Sequence, residues 1–257
     1  MLGAVAGDII GSVFEFMEVK SEDFELFTPG VDYTDDTVMT IATADAIINN
    51  KPYALAYKEW GRRYPNAGYG GMFRGWLQSE SSAPYGSYGN GSAMRISPVG
   101  FAFSTLEDTL VEARKSAEVT HDHPEGIKGA QSVASAIFMA RTGSSKEEIW
   151  DYIVRKFGYD LSRTLDDIRP TYGFDETCQG SVPESLIAFL ESSSYEDAVR
   201  KAVSLGGDSD TMACIAGGIA QAFYKGVPDK IARDARKFLP EKMIDILDKF
   251  NNQFNVV

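Results

Sequence analysis

Cysteine and histidine are nearly absent from this 257-residue chain. Its two cysteines, Cys178 and Cys214, have no CxxC spacing, which excludes a disulfide framework; two buried free thiols in a reducing cytoplasm are expected. Its two histidines, His121 and His123, lie in Thr120-His121-Asp122-His123-Pro124, with no cysteine or third histidine to complete a zinc set. Positive charge is scarce too: 25 Lys and Arg against 37 Asp and Glu give a net charge of −12. Broad nucleic-acid binding and docking on an anionic membrane both need basic surfaces, so neither fits. No apolar run approaches the ~20 residues that cross a bilayer. The apolar N-terminus has no basic segment and is interrupted by Asp8 and Glu15, so no signal peptide is expected. Alternating strand patterns are missing as well, and with them the strand–helix series of a doubly wound sheet.

What is present is helical periodicity. Leu2, Val5, Ala6, Ile9, Ile10 and Val13 form one stripe, with Asp8, Ser12 and Glu15 on the opposite face. Gly3, Gly7 and Gly11 make a ridge at four-residue spacing where another element could pack closely. Ile127, Ala130, Ala134, Ile137 and Phe138 mark a helix that starts after Pro124-Glu125, and Met212, Ile215, Ala216, Ile219, Ala220 and Phe223 mark another. Weaker patterns cover 38–49, 53–61, 106–118, 145–156, 183–192, 194–204, 228–237 and 240–250. The expectation is a compact all-α fold in a single domain, residues 1–257. Glycine disfavours helix interiors, and many of the 24 glycines fall in two loop regions: Gly68, Gly70 and Gly71, then Gly86, Gly89 and Gly91 within Ser79–Ser92. A second irregular stretch runs over 159–181. Loops this long in a helical domain are functional or disordered.

Two acidic strings stand out, Tyr33-Thr34-Asp35-Asp36-Thr37 and Gly206-Gly207-Asp208-Ser209-Asp210-Thr211, about 170 residues apart and each ahead of an apolar helical run. Helix capping explains either one alone. Together they offer four carboxylates and threonine hydroxyls, a donor set for a hard divalent cation. Like charges ~4 Å apart repel by ~4 kcal/mol at an effective dielectric of ~20, so a shared pocket must hold metal, recruit basic groups or protonate. Asp208 and Asp210 would diverge if both were helical; Gly206-Gly207 permits the non-helical start that brings them together. The loop Gly86-Ser87-Tyr88-Gly89-Asn90-Gly91-Ser92 lacks the GK[ST] of a P-loop and is either an anion nest or a flexible turn. His121 is either a ligand contact or a solvated residue at a helix start. Glu15 is either a surface residue or, if its face lines the site, a metal ligand or general base.

In this order the motifs resemble the ADP-ribosylglycohydrolase family over nearly the whole chain. The resemblance rests on Gly7-Asp8-Ile9-Ile10-Gly11 with Glu15, Thr34-Asp35-Asp36-Thr37, Gly86 to Arg95, Thr120-His121 ahead of Pro124-Glu125, and Gly206 to Thr211. It implies an all-α fold around a central cleft with two Mg²⁺ or Mn²⁺ ions. Thr34, Asp35, Asp36, Asp208, Asp210 and Thr211 would be the metal ligands, and Glu15 and Asp35 the candidates for proton transfer. Ser87, Tyr88, Gly89 and Asn90 would hold the diphosphate and nearby ribose, with His121 on the ligand. Gly71 would let a ligand ring approach closely, and Tyr172 would stack on adenine. The implied activity is hydrolysis of an ADP-ribosyl bond on a modified protein or small acceptor, by a cytoplasmic monomer. A silent ADP-ribose-binding or structural protein on the same scaffold, and a two-metal nucleotide phosphohydrolase, are the alternatives.

Overall fold

Fifteen helices and no strand build the chain in the computed structural model, which describes residues 1–257. In order they are α1 (Leu2–Gly11), α2 (Asp35–Ile48), α3 (Tyr53–Arg63), α4 (Gly71–Gln78) and α5 (Gly91–Met94). Then come α6 (Ser97–Ala102), α7 (Leu106–Glu118), α8 (Pro124–Thr142), α9 (Lys146–Phe157) and α10 (Leu165–Ile168). The last five are α11 (Cys178–Leu190), α12 (Tyr195–Val203), α13 (Ser209–Tyr224), α14 (Asp229–Arg236) and α15 (Glu241–Phe254). One contiguous apolar core runs through them, as the all-α reading expects. No helix is long and apolar enough to cross a membrane.

The glycine ridge of α1 sets the centre of the fold. A Cβ added at Gly3, Gly7 or Gly11 would lie 2.6 Å from Gly217 O, 2.1 Å from Ala213 O and 2.5 Å from Ser209 O. Helix α1 therefore rests directly on the backbone of α13, as small residues allow. With α2, α12 and α14 on its other sides, α1 is buried all round. The polar face expected to carry Asp8 is thus inside the protein, and Asp8 has no exposed surface. That packing brings the C-terminal end of α1 beside the N-termini of α2 and α13, where the acidic strings sit.

Side-chain caps account for nearly half of the helix starts. Thr34, Thr105, Ser145, Thr177 and Ser194 each accept a backbone N–H from the first turn of α2, α7, α9, α11 and α12. Helix α11 begins at Cys178, five residues before the expected start at Pro183: Thr177 caps it, and its first turn is tied to the glycine loop by Cys178 N–H donating to Tyr88 O at 2.9 Å. Gly71, the last of the Gly68, Gly70 and Gly71 group, opens α4, which has three buried side chains (Phe73, Trp76 and Leu77) but glycines at 71 and 75 that weaken the sequence signal. Before α11, the stretch from 159 holds a single turn, α10, which a Thr164–Asp167 capping box opens.

Candidate active site

The two acidic strings meet. Gly206 and Gly207 both take φ +73°, a left-handed turn that leaves Asp208 at the cap position of α13. Its carboxylate makes no capping bond to the helix; it accepts a hydrogen bond from Asn90 Nδ2 at 2.7 Å. On the other string, capping is done by the Thr34 hydroxyl, which accepts from Asp36 N–H at 3.2 Å and leaves both first-turn carboxylates available. Thr211 Oγ1 then donates to Asp36 Oδ1 at 3.3 Å, bridging positions 175 residues apart. The carboxyl of Asp210 lies against that of Asp208. Asp36 Oδ2 is buried without a hydrogen-bond partner, which is costly for a carboxylate unless a cation or proton meets it.

Asp8, absent from the expected site residues, organises the first string. Its carboxylate accepts from Thr34 N–H at 3.0 Å, Thr34 Oγ1–H at 2.7 Å, Thr37 N–H at 3.0 Å and the Thr37 hydroxyl. A buried aspartate within Gly7-Asp8-Ile9-Ile10-Gly11 pins the start of α2 to α1 and adds a negative charge behind the cluster. Helical periodicity put it on the polar face of α1, and its place in the Gly7–Gly11 motif was the one hint of a buried role.

The site's electrostatics follow from this crowding. Burial, opposed by those four hydrogen bonds, pushes the Asp8 carboxyl up to about 6. Burial, then the charges of Asp208 and Asp8, pushes Glu15 up to about 7. Asp36 and Asp210 are raised well above the usual carboxylate range by burial and then by neighbouring carboxylates, Asp8 foremost for Asp36 and Asp208 for Asp210. Asp35 is raised for the same two reasons; it keeps a solvent-facing edge, so water screens it more than the others.

These groups line one side of a cleft of about 760 Å³, in the range of pockets that enclose a small ligand. Glu15, Thr34, Asp35, Asp36, Asp208, Asp210 and Thr211 share its wall with Gly71, Ser87, Tyr88, Gly89, Asn90 and His121. Every expected site residue is there except Tyr172. That phenol donates to Gly180 O at 2.9 Å, and its ring packs where a Cβ on Gly207 would come within 3.1 Å of it. Two residues on, Phe174 lines the cleft with its ring 54 % exposed. Periodicity has no purchase in that irregular stretch, so a choice among its aromatic residues was open in the sequence.

The glycine loop is a built structure, and its amides are largely committed. Gly86 N–H donates to Asp122 Oδ1 at 2.7 Å, Ser87 N–H to Thr120 O at 3.4 Å, Gly89 N–H to Ser87 Oγ at 3.1 Å and Asn90 N–H to Glu176 O at 2.8 Å. A nest of inward N–H groups is therefore not what these four amides form. Side chains beside the loop remain as donors, notably the Ser87 hydroxyl and the ring of His121. The latter is buried, not solvated.

The donor set fits a divalent cation: carboxylates and threonine hydroxyls from two helix starts, one buried carboxylate oxygen lacking a partner, and no lysine or arginine paired with the cluster. As they stand, no three His, Cys, Asp or Glu side chains are arranged to hold an ion; the threonine hydroxyls lie outside that set.

Comparison with known proteins identifies the family and the fold. An ADP-ribosylhydrolase, ARH3, from Gallus gallus is 26% identical over 307 residues, covering 87% of this chain and 84% of that protein. An ADP-ribosylarginine hydrolase, Tri1, from Pseudomonas putida is 28% identical over 267 residues, covering 89% of this chain and 71% of that protein. A solved structure of an ADP-ribosylglycohydrolase-related protein complex superposes with a TM-score of 0.74 at 23% identity, covering 98% of this chain and 95% of that one, and shows the shared fold. The ADP-ribosylglycohydrolase family profile matches residues 1–255, and the chain belongs to that family.

Proposed function

We propose that the cleft hydrolyses an ADP-ribosyl bond, releasing ADP-ribose from a modified protein side chain or small acceptor, with two Mg²⁺ or Mn²⁺ ions between the acidic strings. The observation that carries this is the Thr211–Asp36 hydrogen bond, which joins the strings at the wall of a ligand-sized cleft. The relatives' names as ADP-ribosylhydrolases support the reaction class. Thr34, Asp35, Asp36, Asp208, Asp210 and Thr211 would hold the ions. Bound there, they would supply Lewis acidity toward the ribose hydroxyls and the attacking water.

The chain's own groups do the rest. Water attacks the anomeric carbon as the bond to the acceptor breaks, and a carboxylate takes the water's proton and relays it to the departing acceptor atom. Glu15, raised to about 7, is matched to that task near neutral pH, with Asp35 as the other acceptor on the wall. Asn90 fixes the direction of Asp208. Ser87 and His121 stand as donors for the diphosphate, and the open face of Phe174 suits stacking on adenine.

The test is a panel of arginine-, serine- and acetyl-linked ADP-ribosyl conjugates with and without Mg²⁺. At least one conjugate should release ADP-ribose, and chelation should stop it. Binding of ADP-ribose with no release from any linkage would turn the reading to a silent binder; phosphate release from nucleotides would turn it to a phosphohydrolase.

Stability should report the ions independently. A carboxyl whose folded pKa is raised holds its proton longer in the native state than in the unfolded chain. Its contribution is therefore present below the unfolded value near 4 and lost as pH rises through the folded value. With Asp8 at about 6 and Asp36 and Asp210 raised further, these acids should destabilise the chelated protein between pH 5 and pH 8. His121 and the buried Met1 amino group, both lowered by burial, act in the opposite sense over the same window, so the acids' share is read as the difference between chelated and Mg²⁺-loaded protein. Carboxyls lowered by hydrogen bonds or ion pairs, such as Asp45 and Asp197, act only at lower pH. Adding Mg²⁺ should restore the loss, with a larger rise at pH 8 than at pH 5.5 in a thermal-shift titration. An equal rise at both pH values would separate the ions from the buried acids.

A further inference from the structure

We infer that Arg95 and Thr120 are positioning residues that fix His121 as the tautomer protonated on Nε2, making that edge of the ring a standing hydrogen-bond donor to an oxygen acceptor in the cleft. The inference rests on the reading of the cleft as an ADP-ribose site, and it begins with a buried cation. Arg95 is 1 % exposed, and its guanidinium lies 4.3 Å from the centre of the Tyr57 ring. Its Nη2 donates to Ser116 O at 2.9 Å and to Thr120 Oγ1 at 2.9 Å. A guanidinium can only donate, so Thr120 Oγ1 accepts from it. Thr120 Oγ1 also lies 2.7 Å from His121 Nδ1. With one lone pair engaged by Arg95, the hydroxyl's own proton is free to go to Nδ1.

A neutral imidazole that accepts at Nδ1 carries its proton at Nε2. The other tautomer would place two donors on Thr120 Oγ1 and turn its own proton toward the neighbouring Tyr85 phenol, with which Thr120 makes no hydrogen bond as the structure stands, at the expense of the short bond to Nδ1. Burial and the nearby Arg95 charge also hold the His121 pKa well below its usual value, so the doubly protonated ring does not compete.

The surroundings of Nε2 fit this role. A Cβ on Gly91 would be 3.1 Å from Nε2 and one on Gly89 3.7 Å. Glycine at both positions therefore leaves that edge uncrowded. Behind the ring, a Cβ on Gly126 would be 2.9 Å from His121 Cβ, so α8 holds the histidine from the far side. Because the amides of Gly86, Ser87, Gly89 and Asn90 are already committed, a ring N–H here adds a donor beside the Ser87 hydroxyl that those four amides do not supply. With the opposite tautomer, a lone pair would face the same oxygen and repel it.

Two-bond proton–nitrogen correlation spectra of the ¹⁵N-labelled full chain read the tautomer directly. The chain has two histidines, and His123→Asn, which keeps a capping side chain on α8, assigns the signals. His121 should show a protonated Nε2 and a bare Nδ1. Thr120→Val should give a mixture containing the Nδ1–H form and weaken ADP-ribose binding by about tenfold, one hydrogen bond to a charged group; Thr120→Ser should restore both readings. A protonated Nδ1 in the unmodified chain overturns the inference, even if Thr120→Val does not fold. So does a Thr120→Val spectrum that keeps the original pattern. The spectrum needs no substrate, so a chain inactive on every conjugate still yields the tautomer, and the two readings fail separately.

Discussion

Asp210→Ala is expected to lower kcat for ADP-ribose release by about a thousandfold or more, the scale reached when a group that organises transition-state charge is lost. The same change should raise the melting temperature of the chelated protein at pH 8, and this second sign makes the prediction specific. Asp210 is buried against Asp208 and close to Asp36 and Asp8. It makes one local bond, from Thr211 N–H at 2.9 Å. Removing it relieves repulsion and desolvation while opening little space; each kcal/mol relieved is worth roughly 2–4 °C in a chain of this size. Mg²⁺ should then give a smaller thermal shift than in the unmodified protein. Asp8→Ala should contrast with it. Four donors from Thr34 and Thr37 would lose their acceptor, so activity and stability should fall together. If Asp210→Ala lost stability in chelator as Asp8→Ala does, its carboxylate would be structural. Far-ultraviolet circular dichroism, melting curves with EDTA or Mg²⁺, and initial rates are the measurements.

The sequence carried the donor atoms of this site more clearly than their placement. The threonine–aspartate strings were readable because a cap needs one carboxylate or hydroxyl and each string holds more. Glu15 was readable through the family motif, since periodicity left it either a surface residue or a site residue. Asp8 was not: helical periodicity put it on a solvent face, and only the packing of α1 among four helices turns that face inward. Phe174 was hidden because its segment has no period, its position being set by Gly89–Thr177 pairing and the contact of Gly207 with Gly173. Helix α4 was hidden by its own glycines. The committed amides of the glycine loop depend on Asp122, Thr120 and Glu176, partners no local pattern predicts. Local rules reached the helices and the caps; contacts between distant segments decided which polar groups face the cleft.

The second large effect is on folding. Gly7→Ala should destabilise the protein by more than about 4 kcal/mol, the range of substitutions that force packed backbones apart, and Gly7→Leu should yield no soluble folded chain. The added Cβ would stand 2.1 Å from Ala213 O, 2.5 Å from Ala213 C and 2.9 Å from Cys214 N. All three are backbone atoms of α13, so no rotamer change can relieve the contact. Helix α1 would have to lift away, taking Asp8 and the start of α2 with it and opening the core on both sides. An internal control comes from Gly75, inside α4, where an added Cβ would meet nothing within 4 Å. There the same Gly→Ala change restores helix propensity and should stabilise by about 0.5–1 kcal/mol. Urea denaturation of the two variants side by side reads both signs with one chemistry. Near-equal effects would mean that α1 and α13 are not in backbone contact. The halves of the acidic site would then owe their meeting to something other than the glycine ridge.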